Sequence, residues 1–427
     1  MARLLVLFVT AFVDMVGFAM ILPLLPFYAT HFGANGFVVG LLISAFSVAQ
    51  LAVAPLWGRF SDRYGRRPAI LAGLLITGGA YALFAFAGSL AALLFSRIIQ
   101  GVGGGTIGVV QAYVADASPP EQRVKSLGWL SAVTSLGAVA GPAIGSLMVG
   151  LGGQKPPGLM AAALSLLIAA FAWRYLREAR ELEPERGPGA PGQAHTTSRA
   201  AIGMVLSRWD RPASRLIWIY AIAIGAFYGT TQTMPLLLSE RMGITERNIG
   251  YFVMYLGGMG VLIRSLILGR AVDRLGEARL SRLGIVLLAA GLAVTGVAHG
   301  GAPMLAGFTL MPLGTAFLFP CVTGMLSRVV PAAERGLYMG VQHTFGGVSR
   351  VGFPIAAGLL MDRFGVGVPF WVSGLLVLLT LPLTLAMAGY LTAAPEAAAA
   401  VRIVAAADVT AEFPIEPVTG EGRASAG

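Results

Sequence analysis

The chain has 427 residues, 56% of them hydrophobic and only 12% charged, with a mean hydropathy of +0.77 and a formal net charge of +10. An ordinary soluble domain carries roughly 25% charged residues, so this composition excludes a soluble globular protein and points to a chain that lives in a bilayer. The single cysteine, Cys321, excludes a disulfide framework and a CxxC metal site.

A bilayer-spanning helix needs about 20 predominantly apolar residues, and twelve such segments follow one another between short polar, Gly- or Pro-marked turns. They are expected at 3–29, 36–58, 69–88, 90–115, 127–150, 158–177, 214–238, 248–270, 281–299, 303–328, 337–361 and 368–391. The first runs on too long, without an A-x-A-like cleavage site, to read as a removed signal peptide. Loops on the N-terminal side hold Arg59, Arg63, Arg66, Arg67, Arg123, Lys125, the cluster from Arg174 to Arg215, Arg270, Arg274, Arg279, Arg282, Arg328 and Arg335. The opposite loops hold only Lys155, Arg241, Arg247 and Arg363. Positive residues in short loops mark the cytoplasmic side, so both termini are expected inside, in the cytoplasmic membrane. The positive charge then reflects topology and not a nucleic-acid surface.

The apolar pattern breaks once on a large scale, at 178–213, a charged Pro/Gly-containing linker with a short helix expected around Ile202 to Leu206. This divides the spans six and six: an N-terminal bundle over 1–177, the linker, a C-terminal bundle over 214–391, and a solvated, disordered tail over 392–427. "GRFSDRYG" (58–65) recurs as "GRAVDRLG" (269–276), "PPEQRVKSLG" (119–128) as "PAAERGLYMG" (331–340), and Pro142 falls on Pro354, all at an offset of 211 or 212. Two duplicated six-span bundles joined by a loop are the plan of secondary transporters, which bind substrate near the midplane between the bundles. No G-x-x-x-x-G-K-S/T loop is present, so no ATP site is expected, and no cofactor or metal is implied.

Three stretches carry more specific information. In "GRFSDRYGRRP" (58–68), Gly58 and Gly65 permit a tight reversal, Arg63, Arg66 and Arg67 hold the loop on one side, and Asp62 can pair with a cation or a helix N-terminus. Asp273 and Arg274 repeat its Asp-Arg in the second half. The glycine-rich "SRIIQGVGGGTIG" (96–108) follows no strand, so it reads as small residues that let spanning helices approach. "GAVAGPAIGS" (137–146) places Gly137, Gly141 and Gly145 on one smooth helix face beside Pro142, which is expected to bend the helix.

Over nearly all of residues 3–391 the chain resembles a major facilitator superfamily transporter, and within that superfamily the twelve-span drug:proton antiporter group that includes bacterial tetracycline exporters. The first stretch matches G-x-x-x-D-R-x-G-R-R, and the third G-x-x-x-G-P-x-x-G-G with Ser146 in place of the last glycine. The resemblance implies an all-α membrane fold of two pseudo-symmetric six-helix bundles, a monomer that moves a small molecule and protons and is not an enzyme, and antiport. It also implies a conformational gate. Asp62 would meet the start of span 11 and Arg66 would reach Asp116, with Arg123 and the repeat pair Asp273 and Arg274 beside them. Such contacts would hold the outward-open arrangement and break on switching. The resemblance ties the third stretch to exchangers, with close packing of its glycines against the other half as the plainer reading.

The family carries a buried arginine in span 4, here Arg97, which makes it the implied partner of Asp14 in "FVTAFVDMVGFAMILPLLPFY" (8–28). Ionisable groups inside a membrane are costly, face the interior and mark transport paths. A carboxyl held between desolvation and a nearby cation can take up a proton on one side and lose it on the other. Asp14 is therefore the expected proton site and Arg97 its modulator, with a static buried ion pair as the alternative; Gly17, Pro23 and Pro26 are expected to bend the helix near the acid.

In the second half, Arg264 lies in span 8 and Arg350 near the middle of span 11, with His343 two turns earlier, while Glu240, Asp273 and Asp362 fall at span ends. A positive cavity wall favours an anionic or carboxylate-bearing substrate on Arg350 and secondarily Arg264, with snorkelling or pairing to backbone carbonyls as the alternative; His343 reads more readily as an ordinary polar contact than as part of a proton relay. Gln50, Gln100, Tyr228 and Gln232 are further cavity candidates, with Gln111, Tyr113, Phe227, Tyr255 and Gln342 behind them. The chain departs from the tetracycline exporters in lacking an acid within spans 3 and 9. The expected function is proton-coupled efflux of small amphipathic compounds by alternating access. The alternatives are a metabolite or organic-anion importer, favoured by the buried arginines, and a membrane sensor, which no folded signalling domain supports.

Overall fold

A computed structural model describes residues 2–119, 122–176, 178, 198–331 and 334–384. Most of the linker, the end of the twelfth span and the tail lie outside them. Among the described residues there is no strand. The first half contains α1 (Ala2–Ile21), α2 (Leu25–His31), α3 (Gly36–Tyr64), α4 (Arg66–Ala85), α5 (Leu90–Gly104), α6 (Ile107–Asp116), α7 (Arg123–Gly152) and α8 (Lys155–Tyr175). After α9 (Ser198–Ser207) the second contains α10 (Pro212–Met242), α11 (Ile249–Leu266), α12 (Leu268–Leu275), α13 (Glu277–Val297), α14 (Gly301–Val329), α15 (Arg335–Phe364) and α16 (Val368–Leu378), followed by a 3₁₀ turn over Leu381–Thr384.

Ten helices or end-to-end pairs are long and apolar enough to cross a bilayer. α10, made more polar by Thr230, Thr231, Gln232 and Thr233, and the shorter α16 with its 3₁₀ turn complete the twelve-helix arrangement. Large apolar side chains such as Leu151 (73% exposed) and Leu167 (68%) cover the outside, as a lipid-facing surface requires. The chain is a multi-pass membrane protein.

Four local expectations need correction. α3 runs past 58 to Tyr64, so Gly58 and Asp62 are helical. Nothing lies near a Cβ built at Gly58, and the reversal is made by Gly65 alone, at φ +106°, as by Gly276 at φ +74° in the second half. Pro23 and Pro26 do break the first span, but at 22–24, two turns beyond Asp14, and Gly17 sits in unbroken helix against Tyr81 and Ala161. α7 passes through Pro142 without interruption. Instead, the fourth span breaks at Gly105 and Thr106, inside the glycine-rich stretch.

The halves meet chiefly where α3 packs on α15 and α7 on α11. Both crossings are backbone-close and built alike: a Cβ at Gly40 would collide with the Pro354 carbonyl, and one at Gly250 with the Pro142 carbonyl. Polar groups then fasten them. Ser44 Oγ donates to the Val351 carbonyl at 2.6 Å, and Asp362 accepts from the amides of Gly36 (2.7 Å) and Phe37 (2.8 Å) at the start of α3. Ser146 Oγ donates to the Glu246 carbonyl at 2.7 Å and accepts from the Gly250 amide at 2.9 Å. These contacts lie toward the end away from the basic loops, so that end is sealed. Replacing Gly250 by Val should prevent this closure without unfolding either half. A thiol at Ser47→Cys, in a Cys321→Ser background, should then react several-fold faster with a bulky maleimide presented from the sealed end.

Candidate functional site

Asp14 is placed by the helix that carries it. α1 lies backbone to backbone against α7. A Cβ at Gly137 would stand 2.7 Å from the Phe12 carbonyl oxygen, one at Gly141 2.7 Å from that of Val16, and one at Gly145 2.5 Å from that of Met20. The glycines of "GAVAGPAIGS" therefore face α1 of their own half and not the other half. What touches the other half is the opposite edge of α7, through Pro142 and Ser146.

So held, Asp14 lines a cavity of about 180 Å³ beneath the seal. The cavity also takes in Gln50, Gln100 and Tyr81 from the first half and Tyr228 and Arg350 from the second, with Phe18 and Phe46 as apolar wall. Gln50 is oriented by donating to the Gly104 carbonyl at 3.0 Å, beside the break in the fourth span. The structure thus gathers Asp14, Gln50, Gln100, Tyr228 and Arg350 around one space. It does not gather Gln232, Arg264 or His343. Gln232 sits one turn beyond Tyr228 toward the seal. His343 is two turns from Arg350 toward the basic end, exposed, with its ring 6.4 Å from that of Tyr220. Arg264 is exposed at the basic end of α11.

Arg97 is fully buried one layer behind the cavity and does not pair with Asp14. Its Nη1 donates to Gln100 Oε1, one turn along the same helix, and its guanidinium lies over the Phe46 ring at 5.0 Å. Among the described residues Nε and Nη2 find no hydrogen-bond partner. The i to i+3 spacing within α5 satisfies part of the guanidinium locally, which the implied pairing across to α1 had not allowed for. The close helix approaches around it are those expected of the small residues: a Cβ at Gly101 would stand 2.8 Å from the Ala49 Cβ, and one at Gly105 2.8 Å from Trp57.

At the basic end Arg66 is the centre of a network. Its Nη1 donates to Asp62 (2.6 Å) and Ser61 (2.7 Å), and its Nε to Asp116 (3.1 Å). The amides of Arg66 and Arg67 donate to Glu178 at 2.8 and 3.1 Å, and the Arg67 guanidinium donates to the Trp173 carbonyl. Arg63 stacks on Tyr64, and Arg123 Nε donates to the Ala115 carbonyl at 2.9 Å. Among the described residues every side-chain partner of Arg66 belongs to the first half, and these bonds are present while the opposite end is sealed. They brace one bundle. Glu178, read from sequence as linker, is the missed member: it caps the start of α4, and a Cβ at Gly65 would meet its carboxylate.

The second half repeats this ion pair with its signs exchanged. Glu277 and Arg328 stand 211 and 212 residues after Arg66 and Asp116, and Arg328 Nη2 donates to Glu277 at 2.7 Å. Asp273 and Arg274 are exposed beside it. The repeat offset was the signal that could have found this pair.

The Major Facilitator Superfamily model matches residues 7–268 and 252–412. The chain belongs to the major facilitator superfamily. Among relatives, it is 28% identical over 383 residues to Multidrug resistance protein 2 of Bacillus subtilis (strain 168), covering 88% of this chain and 92% of that one. It is 26% identical over 368 residues to the class B Tetracycline resistance protein of Escherichia coli, covering 85% and 88%. These matches agree with the resemblance to the drug:proton antiporter group. In fold it is similar to a bacterial homologue of the human lysosomal transporter Spinster in an inward-facing, unoccupied conformation, with a TM-score of 0.72 at 14% identity, covering 92% and 96%.

Two outcomes follow for this facilitator. Had Asp14 and Arg97 formed a buried pair, removing the acid would cost about 3–5 kcal/mol; because they do not, Asp14→Asn should change stability by less than about 1 kcal/mol, a few degrees of apparent Tm on thermal unfolding of the purified protein. At the basic end, Arg66→Glu and Asp116→Arg should each cost about 1–2 kcal/mol, allowing for partial exposure. The double variant, which copies the polarity of Glu277 and Arg328, should recover much of that loss in the same measurement.

Proposed function

We propose that the chain is a proton-coupled exporter that moves small amphipathic compounds out across the cytoplasmic membrane in exchange for protons, with both termini cytoplasmic. The observation that carries this reading is Asp14: a carboxyl without a counter-ion among the described residues, lining the cavity directly beneath the seal, on a helix pressed against the glycines of the antiporter motif. Multidrug- and tetracycline-resistance proteins among the relatives support the same direction of transport.

In this conformation the sealed end is extracellular and the cavity belongs to the cytoplasmic-facing state. Arg97 is turned to Gln100, an arrangement that suits Asp14 carrying its proton. Loss of that proton to the cytoplasm leaves a carboxylate that the free Nε and Nη2 of Arg97 can stabilise and that a substrate can meet. Reopening of the seal at Gly40/Pro354 and Gly250/Pro142 delivers substrate outward and lets Asp14 be protonated again from the acidic side. Differential affinity of the two states for the proton is all the coupling needed. Arg66 with Asp62 and Asp116, and Asp273 with Arg274, would steady the cytoplasmic ends of the two bundles as they rock.

The test is proton flux in everted vesicles with an acid interior. Adding a permanently charged amphipathic dye should dissipate the gradient in wild-type vesicles, and Asp14→Asn should abolish that response while leaving the protein folded. Equal dissipation in both would remove Asp14 from the coupling.

A further inference from the structure

Asp14 and Arg350 are an acid and a base, they line the same cavity, and they come from opposite halves, α1 and α15. Neither forms a hydrogen bond or an ion pair with another described residue, and they are too far apart to pair with each other. A guanidinium and an ionisable carboxyl left without partners at one cavity in the membrane are costly. A structural purpose would have been served better by a direct ion pair or by apolar replacements. From the shared cavity and the separated charges we infer that the preferred substrate is a zwitterion, its cationic group toward Asp14 and its carboxylate toward Arg350. This rests on the exchange reading above and names its substrate class.

The other polar groups at the cavity agree with that assignment. Tyr228 comes from the half that carries Arg350, and Gln50 and Gln100 from the half that carries Asp14, so both halves offer neutral hydrogen-bonding groups to the same space. Arg97 is held behind Gln100 and His343 lies two turns away, so neither competes with Arg350 for the carboxylate. Phe18 and Phe46 supply an apolar wall for the body of the molecule. At about 180 Å³ the space takes a small aromatic zwitterion as it stands, whereas drug-sized ligands, whose pockets run to about 300–1,000 Å³, require the halves to part. A substrate that bridges the two halves also links them mechanically. Its cationic end takes the place of the proton on Asp14, so one proton leaves for each zwitterion that binds and no other co-reactant is needed.

Three probes of one shape separate the possibilities: para-(trimethylammoniomethyl)benzoate, its methyl ester, which keeps only the cation, and para-neopentylbenzoate, which keeps only the anion. Their fixed or matched charges prevent the amine end from carrying protons by itself. Binding to the purified full chain is titrated calorimetrically in weak buffer, with proton release followed at the same time. The zwitterion should bind at least about tenfold more tightly than either partner, about 1.4 kcal/mol. Arg350→Gln should erase its advantage over the ester, Asp14→Asn its advantage over the anion, and Arg350→Lys should retain the preference. Equal affinity for all three probes, or an Arg350→Gln variant that weakens zwitterion and ester by the same factor, would overturn the inference. Proton release by the ester without a zwitterion advantage sinks this inference and leaves exchange standing. A zwitterion preference without proton release upholds this inference and sinks exchange.

Discussion

The rest of the molecule depends on one contact, the backbone-to-backbone seating of α1 on α7. Phe12, Val16 and Met20 present carbonyl oxygens at four-residue intervals, and Gly137, Gly141 and Gly145 leave room for them at the same interval. In a bilayer there is no hydrophobic drive to pack one apolar helix on another, so close approach through small residues, with its dispersion and Cα–H···O contacts, has to supply the cohesion. A ladder of equal spacing on both helices fixes rotation as well as distance. That fixed rotation decides where the side chain between the first two rungs points, and the side chain there is Asp14.

From the same helix the transport geometry follows in order. One face of α7 holds α1, and its other edge, through Pro142 and Ser146, meets α11 of the opposite half. The helix that carries Asp14 and the seal therefore share one element. A change in how α1 sits can reach the seal through α7 without a separate relay, because α7 runs past Pro142 as one helix. The crossing of α3 and α15 does the same job on the other side, where Asp362 adds a carboxylate to a helix N-terminus that would otherwise present bare amides.

Much of this was legible in the residues. Hydropathy and loop charge reveal the spans, and the repeat of "GRFSDRYG" reveals the duplication, because both are properties of one segment at a time. Asp14, Gln50, Gln100, Tyr228 and Arg350 could be nominated because polar residues in the middle of apolar spans have few other reasons to be there. What could not be read was which helix each face meets. The glycines at 137, 141 and 145 look the same whether α1 or the other half lies against them, and Arg97 looks like a partner for Asp14 until Gln100, one turn away, takes its guanidinium. Glu178 escaped because a cap is made by tertiary proximity, and nothing in its neighbourhood of charges marks it. His343, Arg264 and Gln232 were nominated by residue type alone, and depth along the helix axis set them apart from the cavity.

The exchanged signs of Arg66–Asp116 and Glu277–Arg328 bear on how such a chain assembles. A protein made of two copies of one bundle faces the hazard that a span inserts into the wrong copy, since equivalent helices have similar faces and the two halves emerge into the membrane one after the other. If the polarity were the same in both halves, α4 docked beside α14, or α13 beside α6, would still find an attractive partner. With the polarity reversed, Arg66 would face Arg328 and Glu277 would face Asp116, and each misplaced span would meet repulsion at the membrane surface. The pair that braces each bundle also marks which bundle a helix belongs to.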